Sequence, residues 1–584
     1  MSKRKELIKC IEIVVLSLAF FALSVTYGGI SYETNDDTII NLIAAGAYGE
    51  PSQYLVHSGI VFGYILKFLY FLFPTINCYL WWYLFFNFLS VIFLCMVLTE
   101  KLEPGSAAGI TILINVLLAK DYYIEIQYTK STAIYAATGI VLLLSIVWQK
   151  KIFAWKMIVG SLFLTVGLSS RMETVIQVAP LAFIAAFFVY GAGIRSRIKE
   201  IKARGEANAL KKEVGAAFAK LILPIVMLLF VIGTNYVAFD MNSKWNEYYQ
   251  WDAIMVQKRD YGNYNFEWFQ DEYLANGFTE WDFKLIDEWM WNDCDNFTLE
   301  KMQLMADIGS DIKMNRLRFD TELVGQTWDI VLEALRGSNI PYALIIITIL
   351  SIALCCAKRQ WWSILGILLI NAGAVFELYY LACLRRSVWR VEYGIWFAAG
   401  CFVLALMIGV EDRGEKSDEK PFVITAYEYV ALICVLLVAF IWQRNTLDYS
   451  HTSWSEKDVA SYEHIKSINN TDGIFVMSIN EMYGGLNHAT NIWDINKRDY
   501  AGFYENIISS GNWPIPSPIG MYYANVHGIQ NVFKSFVDRD DVYYIGGGET
   551  AGYIYVYLNE KYGPGIGMRD VTFDWGTAWQ FYRE

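Results

Sequence analysis

Eleven apolar stretches, each close to the length a helix needs to cross a bilayer, run along this chain. They fall near 7–28, 79–99, 106–121, 131–148, 157–171, 175–193, 217–239, 342–358, 361–382, 391–410 and 423–442. A hydrocarbon layer is crossed by about 20 helical residues. Only helices and closed barrels satisfy their backbone polar groups in it. The pattern therefore predicts a mostly α, polytopic transmembrane helical bundle of about 11 spans, flagged by the run count rather than by any single motif. Composition agrees: 55% of the 584 residues are hydrophobic and 18% charged, whereas a soluble domain carries about 25% charged residues. The run 57–73 is interrupted by Lys67 and flanked by polar residues, so it is expected as a juxtamembrane helix. Lys3-Arg4-Lys5 precedes an apolar run from Leu7 to Gly28. That run is too long for a signal-peptide core and reads as a retained first span.

Orientation follows from Lys and Arg, which concentrate in short cytoplasmic segments. The densest basic segment is 195–220, with eight Lys and Arg, and the loop 29–56 has none. The N-terminus is therefore expected in the cytoplasm, with the loops 29–78 and 240–340 and the C-terminal part outside. The segment 240–340 has 9 basic and 20 acidic residues, and 443–584 has 10 and 17. So acidic an outer surface argues against nucleic acid as a partner. The expected division is a membrane module, 1–442, and an extracytoplasmic α/β domain, 443–584. In the latter, Ile474–Ser478 and Asp541–Ile545 read as strands, 549–561 as a helix and 570–582 as a final strand or hairpin. Gly546-Gly547-Gly548 lacks the Lys and the spacing of a phosphate loop and reads as a strand-to-helix turn. The nine cysteines show no disulfide framework and no zinc spacing.

Asn35-Asp36-Asp37, just beyond the first span, opens a short helical segment. Two adjacent carboxylates at a membrane surface suit a general base or a cation ligand. They equally suit a helix cap, since Asn, Asp and negative charge favour helix N-termini. His57 leads into the juxtamembrane helix, where an interfacial role and a chemical one both stand. Three further groups sit at the same expected face: Lys120–Lys130 with Asp121 and Glu125, Ser169–Glu173 with Arg171, and Arg385–Glu392 with Arg386 and Arg390. Cations there suit a phosphate, and Arg binds one bidentately; the alternative is snorkelling to headgroups. The aromatic residues Trp245, Tyr248, Tyr249, Trp251, Trp268, Trp281, Trp289 and Trp291 offer faces for sugars, or the core of a helical mini-domain.

This layout resembles the GT-C superfamily of integral membrane glycosyltransferases. The likeness lies in a first span followed by an acidic motif opening a helix (Asn35-Asp36-Asp37), an interfacial helix ending at Phe73-Pro74, a short acidic loop after the third span, and an outer α/β domain. It looks most like bacterial members. The resemblance implies a sugar moved from a polyprenyl-phosphate donor to a cell-envelope glycan, lipid or protein acceptor on the outer face of a bacterial plasma membrane. It implies Asp36 or Asp37 as the catalytic carboxylate and Glu125 at a second acidic position. Arg171, Arg385, Arg386, Arg390, His57 and Lys130 would contact the donor phosphate, by position. A divalent cation, Mg or Mn, stays open, with Asp36, Asp37 and Glu125 as its candidate ligands. No Trp-Trp-Asp signature of oligosaccharyltransferases occurs. Displacement by a single base predicts inversion at the anomeric carbon. The competing classes are a polysaccharide polymerase or ligase and a non-enzymatic flippase or transporter of lipid-linked sugars. A transporter predicts ionisable residues deep in several spans, and few are present.

Overall fold

The computed structural model describes residues 3–100, 102–148, 154–204, 207–311, 317–411, 456–483 and 492–583. Nine helices in them are long and apolar enough to cross a membrane: Arg4–Tyr27, Cys78–Leu98, Pro104–Ile124, Tyr128–Ile146, Met172–Arg195, Glu213–Asp240, Ile340–Ala357, Trp361–Cys383 and Trp389–Met407. Each matches an expected span. The expected span at 157–171 is a shorter apolar helix, Ala154–Ser170. The one at 423–442 lies outside the described residues. The chain is a multi-pass helical membrane protein with a small sheet region at its C-terminal end.

Tyr128–Ile146 is the central helix, with 94% of its apolar window buried, against 22% for the first span. Its small residues make this possible. A Cβ on Gly139 would come within 2.7 Å of the Gly160 carbonyl, and one on Gly160 within 3.0 Å of the Gly139 carbonyl. The two helices therefore pack backbone to backbone, the small-residue contact that suits helices in lipid.

Two short strands bring the segment after the first span and the segment before Tyr128–Ile146 together. β1 (Ser31–Tyr32) pairs in parallel with β2 (Glu125–Ile126), Ser31 opposite Glu125. Beyond β1, the helix Asn35–Ala45 buries every residue from Asp37 onward. Gly46 ends it at φ 97°, and a Cβ there would meet Pro51 at 2.8 Å. The expected juxtamembrane helix is present as Ile60–Leu72, with Tyr64, Phe68 and Phe71 exposed.

The C-terminal sheet holds β3 (Ile474–Met477), β4 (Ile507–Ser509), β5 (Val542–Ile545), β6 (Ile566–Phe573) and β7 (Gly576–Arg583) in the order β4-β3-β5-β7-β6. β3 is parallel to β4 and β5, while β6 and β7 form the terminal hairpin. The glycine run leads from β5 into the helix Gly548–Lys561, a strand-to-helix turn as expected.

The segment after Asp240 is a set of short helices docked on this sheet region. Asn292 donates its backbone N–H to Ser510 O at 2.9 Å and its side-chain amide to Ser509 O at 2.7 Å. Buried Asp293 accepts from Asn531 at 2.7 Å, Tyr557 at 2.8 Å and Tyr562 at 2.7 Å. Among the aromatic residues offered above as sugar surfaces, Trp245, Tyr248, Trp251 and Trp291 are buried. For these four the core reading holds: Trp245 packs against Tyr54, Phe239, Tyr248 and Tyr249, and the other three use their polar atoms internally, Tyr248 donating to Trp513 O, Trp251 to Phe297 O and Trp291 to Ile515 O.

Candidate active site

The Asn35 helix aims its first turn at a cluster of charges from four other parts of the chain. Asp36 lies 3.5 Å from the Nη2 of Arg390, which opens the helix Trp389–Glu411. Both side chains keep about a fifth of their surface, 18% and 22%, so the pair can meet a ligand. Asp37 faces inward. Its Oδ1 accepts from the Tyr79 hydroxyl at 2.8 Å and the Tyr128 N–H at 2.9 Å, and its Oδ2 accepts from Thr34 at 3.3 Å. Burial pushes the Asp37 carboxyl up to about 8; the Tyr79 bond opposes the rise and the Asp36 charge adds to it. Neighbouring carboxyls thus differ in environment: Asp36 is part-exposed and ion-paired with Arg390, while Asp37 is fully buried and raised by that burial. The residue that caps this helix is Thr34, with no side-chain cap bond, and Asp37 instead ties the helix to the bundle through Tyr79 and Tyr128.

Arg171 sits at the joint between Ala154–Ser170 and Met172–Arg204. It donates to the Tyr128 hydroxyl and, at 3.0 Å, to Thr129, and its guanidinium lies 4.7 Å from the Tyr128 ring centroid. Asp36 and Arg390 both act on Tyr128 electrostatically, as Arg171 does. His57 feels Arg171, Asp36, Arg259 and Asp260. Burial, then the Arg171 charge, pushes its pKa down to about 4. His57 packs on Trp513 at 4.6 Å between ring centroids. At that value the imidazole is neutral at physiological pH, so it would meet a donor phosphate only as a neutral hydrogen-bonding group.

Arg386 pairs with Asp260 at 2.9 Å, and Asp260 also accepts from Arg259 at 3.0 Å. Burial raises this carboxyl, but the two guanidiniums outweigh it and hold it below its ordinary value. Arg259 has 8% of its side chain exposed and stacks over Trp289 at 4.6 Å. Its Nη1 is buried with no hydrogen-bond partner among the described residues. Sequence reading missed Arg259 and Asp260, because basic residues at a helix C-terminus are expected anyway. It missed Tyr79 too, one more aromatic residue in an apolar span.

Three expected site residues lie outside this cluster. Lys130 is fully buried, paired with Glu33 at 2.5 Å and Asp121 at 2.9 Å. Two carboxylates occupy its charge, so the expectation of a phosphate contact is corrected to a structural one. Glu125 sits beside Ser31 through β2 but pairs with Lys120 at 3.0 Å. Arg385 is exposed in a left-handed conformation, φ 55°, just after the helix Trp361–Cys383.

Asp36, Asp37 and Glu125 do not fit a shared metal. Each faces its own partner (Arg390, Tyr79 with Tyr128, and Lys120), whereas Mg or Mn is held by convergent, deprotonated oxygen ligands. Among the described residues no three His, Cys, Asp or Glu side chains converge as a metal site would.

No protein-family model matches the chain, and no curated protein does. Among solved structures it is similar to the oligosaccharyltransferase of Archaeoglobus fulgidus, crystallised with Zn and sulfate. That likeness has 13% identity and a TM-score of 0.41, and covers 96% of this chain and 68% of that one. It is also similar to ArnT from Cupriavidus metallidurans, in the apo state and bound to undecaprenyl phosphate. Both ArnT structures have 11% identity and a TM-score of 0.36, covering 98% of this chain and 97% of theirs. Similarity at this level carries no activity across.

Proposed function

We propose that this chain is a GT-C-type glycosyltransferase that moves a sugar from a polyprenyl-phosphate donor to a cell-envelope acceptor. The observation that carries the reading is the contact of Asp36 with Arg390 at 3.5 Å, beside an Asp37 whose carboxyl is raised by burial. Displacement at an anomeric carbon needs a base for the acceptor hydroxyl and positive charge for the departing phosphate. Asp36 supplies the base. Arg390, Arg171 and the Arg259–Asp260–Arg386 group supply the charge, and Arg is the residue best shaped for phosphate oxygens.

In the resting site Asp36 and Arg390 neutralise each other. A donor phosphate draws Arg390 toward itself, which frees the Asp36 carboxylate. Asp36 takes the proton as the acceptor oxygen attacks the anomeric carbon. The bond from that carbon to the phosphate oxygen breaks, and polyprenyl phosphate leaves against the guanidiniums. One carboxylate and one displacement invert the configuration. Asp37 holds the helix through Tyr79 and Tyr128 rather than reacting.

The reaction belongs on the extracytoplasmic face of a bacterial plasma membrane, with the N-terminus in the cytoplasm. The membrane part would end near 442 and the outer α/β part span 443–584. The test is release of polyprenyl phosphate by the purified protein in lipid from a panel of polyprenyl-phosphate sugars, for wild type, Asp36→Asn and Asp37→Asn. Release by wild type and by Asp37→Asn, lost in Asp36→Asn, is expected. Full release by Asp36→Asn would sink the reading.

A further inference from the structure

A cavity of about 340 Å³ opens beside the first turn of the Asn35 helix. Three parts of the chain build it: Asn35 from the segment after the first span, Asp287, Glu288 and Trp289 from the central segment, and Asn480 and Tyr483 from the C-terminal sheet region. Asn35 immediately precedes Asp36 in the chain, so the cavity opens next to the helix turn that carries the proposed base, although Asp36 itself does not line it. A volume near 340 Å³ falls at the small end of ligand pockets.

The lining has a particular chemistry. An indole and a phenol supply electron-rich faces, which attract the slightly positive C–H groups of a sugar ring. Two amides both donate and accept, and two carboxylates accept from hydroxyls. Lys258 holds Asp287 at 3.0 Å and Lys284 holds Glu288 at 3.5 Å, which fixes these carboxylates without making the wall basic. Such a wall suits a neutral polyhydroxyl ligand and disfavours a phosphate or a uronate.

Trp289 joins this cavity to the charge cluster. It adopts φ 59°, an uncommon conformation for a bulky residue. Two contacts hold it there. Arg259 stacks over its ring at 4.6 Å, and its carbonyl lies where a Cβ on Gly511 would come within 2.5 Å. A strained residue clamped on both sides at the wall of a cavity is where function is often found.

We propose that this cavity is the acceptor subsite and takes a neutral pyranose ring, so that the acceptor is the sugar end of a glycan. This rests on the transferase reading above and narrows its acceptor. The ring would lie against Trp289 with a hydroxyl directed toward Asp36, and Arg259 would couple its arrival to the phosphate side.

The test uses the full chain in lipid nanodiscs and saturation-transfer NMR. The probes are the methyl glycosides of glucose, galactose, mannose and N-acetylglucosamine, with methyl glucuronide as the anionic comparison. Release of polyprenyl phosphate from lipid-linked sugars is followed in parallel. Two variants alter the cavity: Trp289→Ala removes its aromatic wall, and Asn480→Trp fills it from an exposed position. Binding of at least one neutral glycoside is expected, weakened tenfold or more in Asn480→Trp, with polyprenyl phosphate binding unchanged in that variant. The proposal is overturned by binding that survives both variants, by preference for the glucuronide, or by no glycoside binding at all. If donor release is lost in Asp36→Asn while no glycoside binds, the transferase reading stands and the acceptor assignment falls. Glycoside binding without release from any donor would leave a saccharide site and overturn its role as an acceptor site.

Discussion

Arg390, at the start of the helix Trp389–Glu411, lies 3.5 Å from Asp36 in the first turn of the helix Asn35–Ala45, more than 350 residues earlier in the chain. Under the proposed function the pair makes base and phosphate anchor interdependent. Removing Asp36 leaves Arg390 without its partner and free for an anion. Asp36→Asn is therefore expected to lower kcat by about 10²–10⁴-fold, the usual size of a general-base contribution, with donor affinity kept or improved. Single-turnover release and a lipid-phosphate binding assay on the same preparation check this.

Asp37 predicts a pH dependence of stability. Its folded value of about 8 lies above the ordinary carboxyl value of 3.8. The native state thus binds this proton more tightly than the unfolded chain does. Stability from this group is complete at pH below about 4 and is lost as pH rises through about 8. The groups around it are Tyr79, Tyr128, Thr34, Asp36 and Glu33. Asp37→Asn keeps an oxygen for Tyr79 and Tyr128 and cannot ionise, so it is expected to flatten the fall in Tm between about pH 4 and 8. Asp37→Ala leaves both donors buried and unpaired, at about 1–3 kcal/mol each. Thermal melts across pH separate the two variants.

Lys130 is buried between Glu33 and Asp121. Lys130→Met strands two carboxylates, and breaking a buried pair costs about 3–5 kcal/mol. The variant is expected to lose thermal stability at neutral pH and to recover part of it in mild acid, where Glu33, already raised by burial, protonates. A Tm that does not move would contradict a structural role.

His57, neutral down to about pH 4, should contribute no inflection near 6.5 to the pH–rate profile. The profiles of wild type and His57→Gln are expected to share their shape while differing in height.

Arg259 is the residue that only the folded chain nominates. Arg259→Ala is expected to slow release by about 10²-fold or more, the effect of removing one donor to developing charge. Arg259→Lys should not restore it, because an ammonium lacks the planar fork that serves Asp260 and a phosphate together. Steady-state release with both variants checks this.

The spans were legible because lipid imposes one rule on every backbone polar group, and the rule leaves runs of apolar residues of fixed length. Asn35-Asp36-Asp37 was legible because two carboxylates at the start of a short helix are an unusual local pattern. β3, β5 and the helix Gly548–Lys561 were legible from their short apolar runs and the glycine turn. Arg259, Tyr79 and the true partner of Lys130 were not, since each is ordinary in its own segment and gains meaning from residues far along the chain. The same holds for Trp245 and Trp289. Sequence placed them among equivalent aromatic residues, and packing left one in a core and the other at the wall of a cavity.

By itself, then, the sequence determined a membrane chain with acidic segments between and after its spans, an acidic helix start and a small C-terminal sheet region, because hydropathy, charge and turn chemistry act over a few neighbouring residues. Only the tertiary structure decided which carboxylate is buried and which is part-exposed against an arginine, which cations are tied to buried partners, and where a cavity opens. Those properties depend on desolvation and on charges brought close by the fold, and no local stretch of residues contains them.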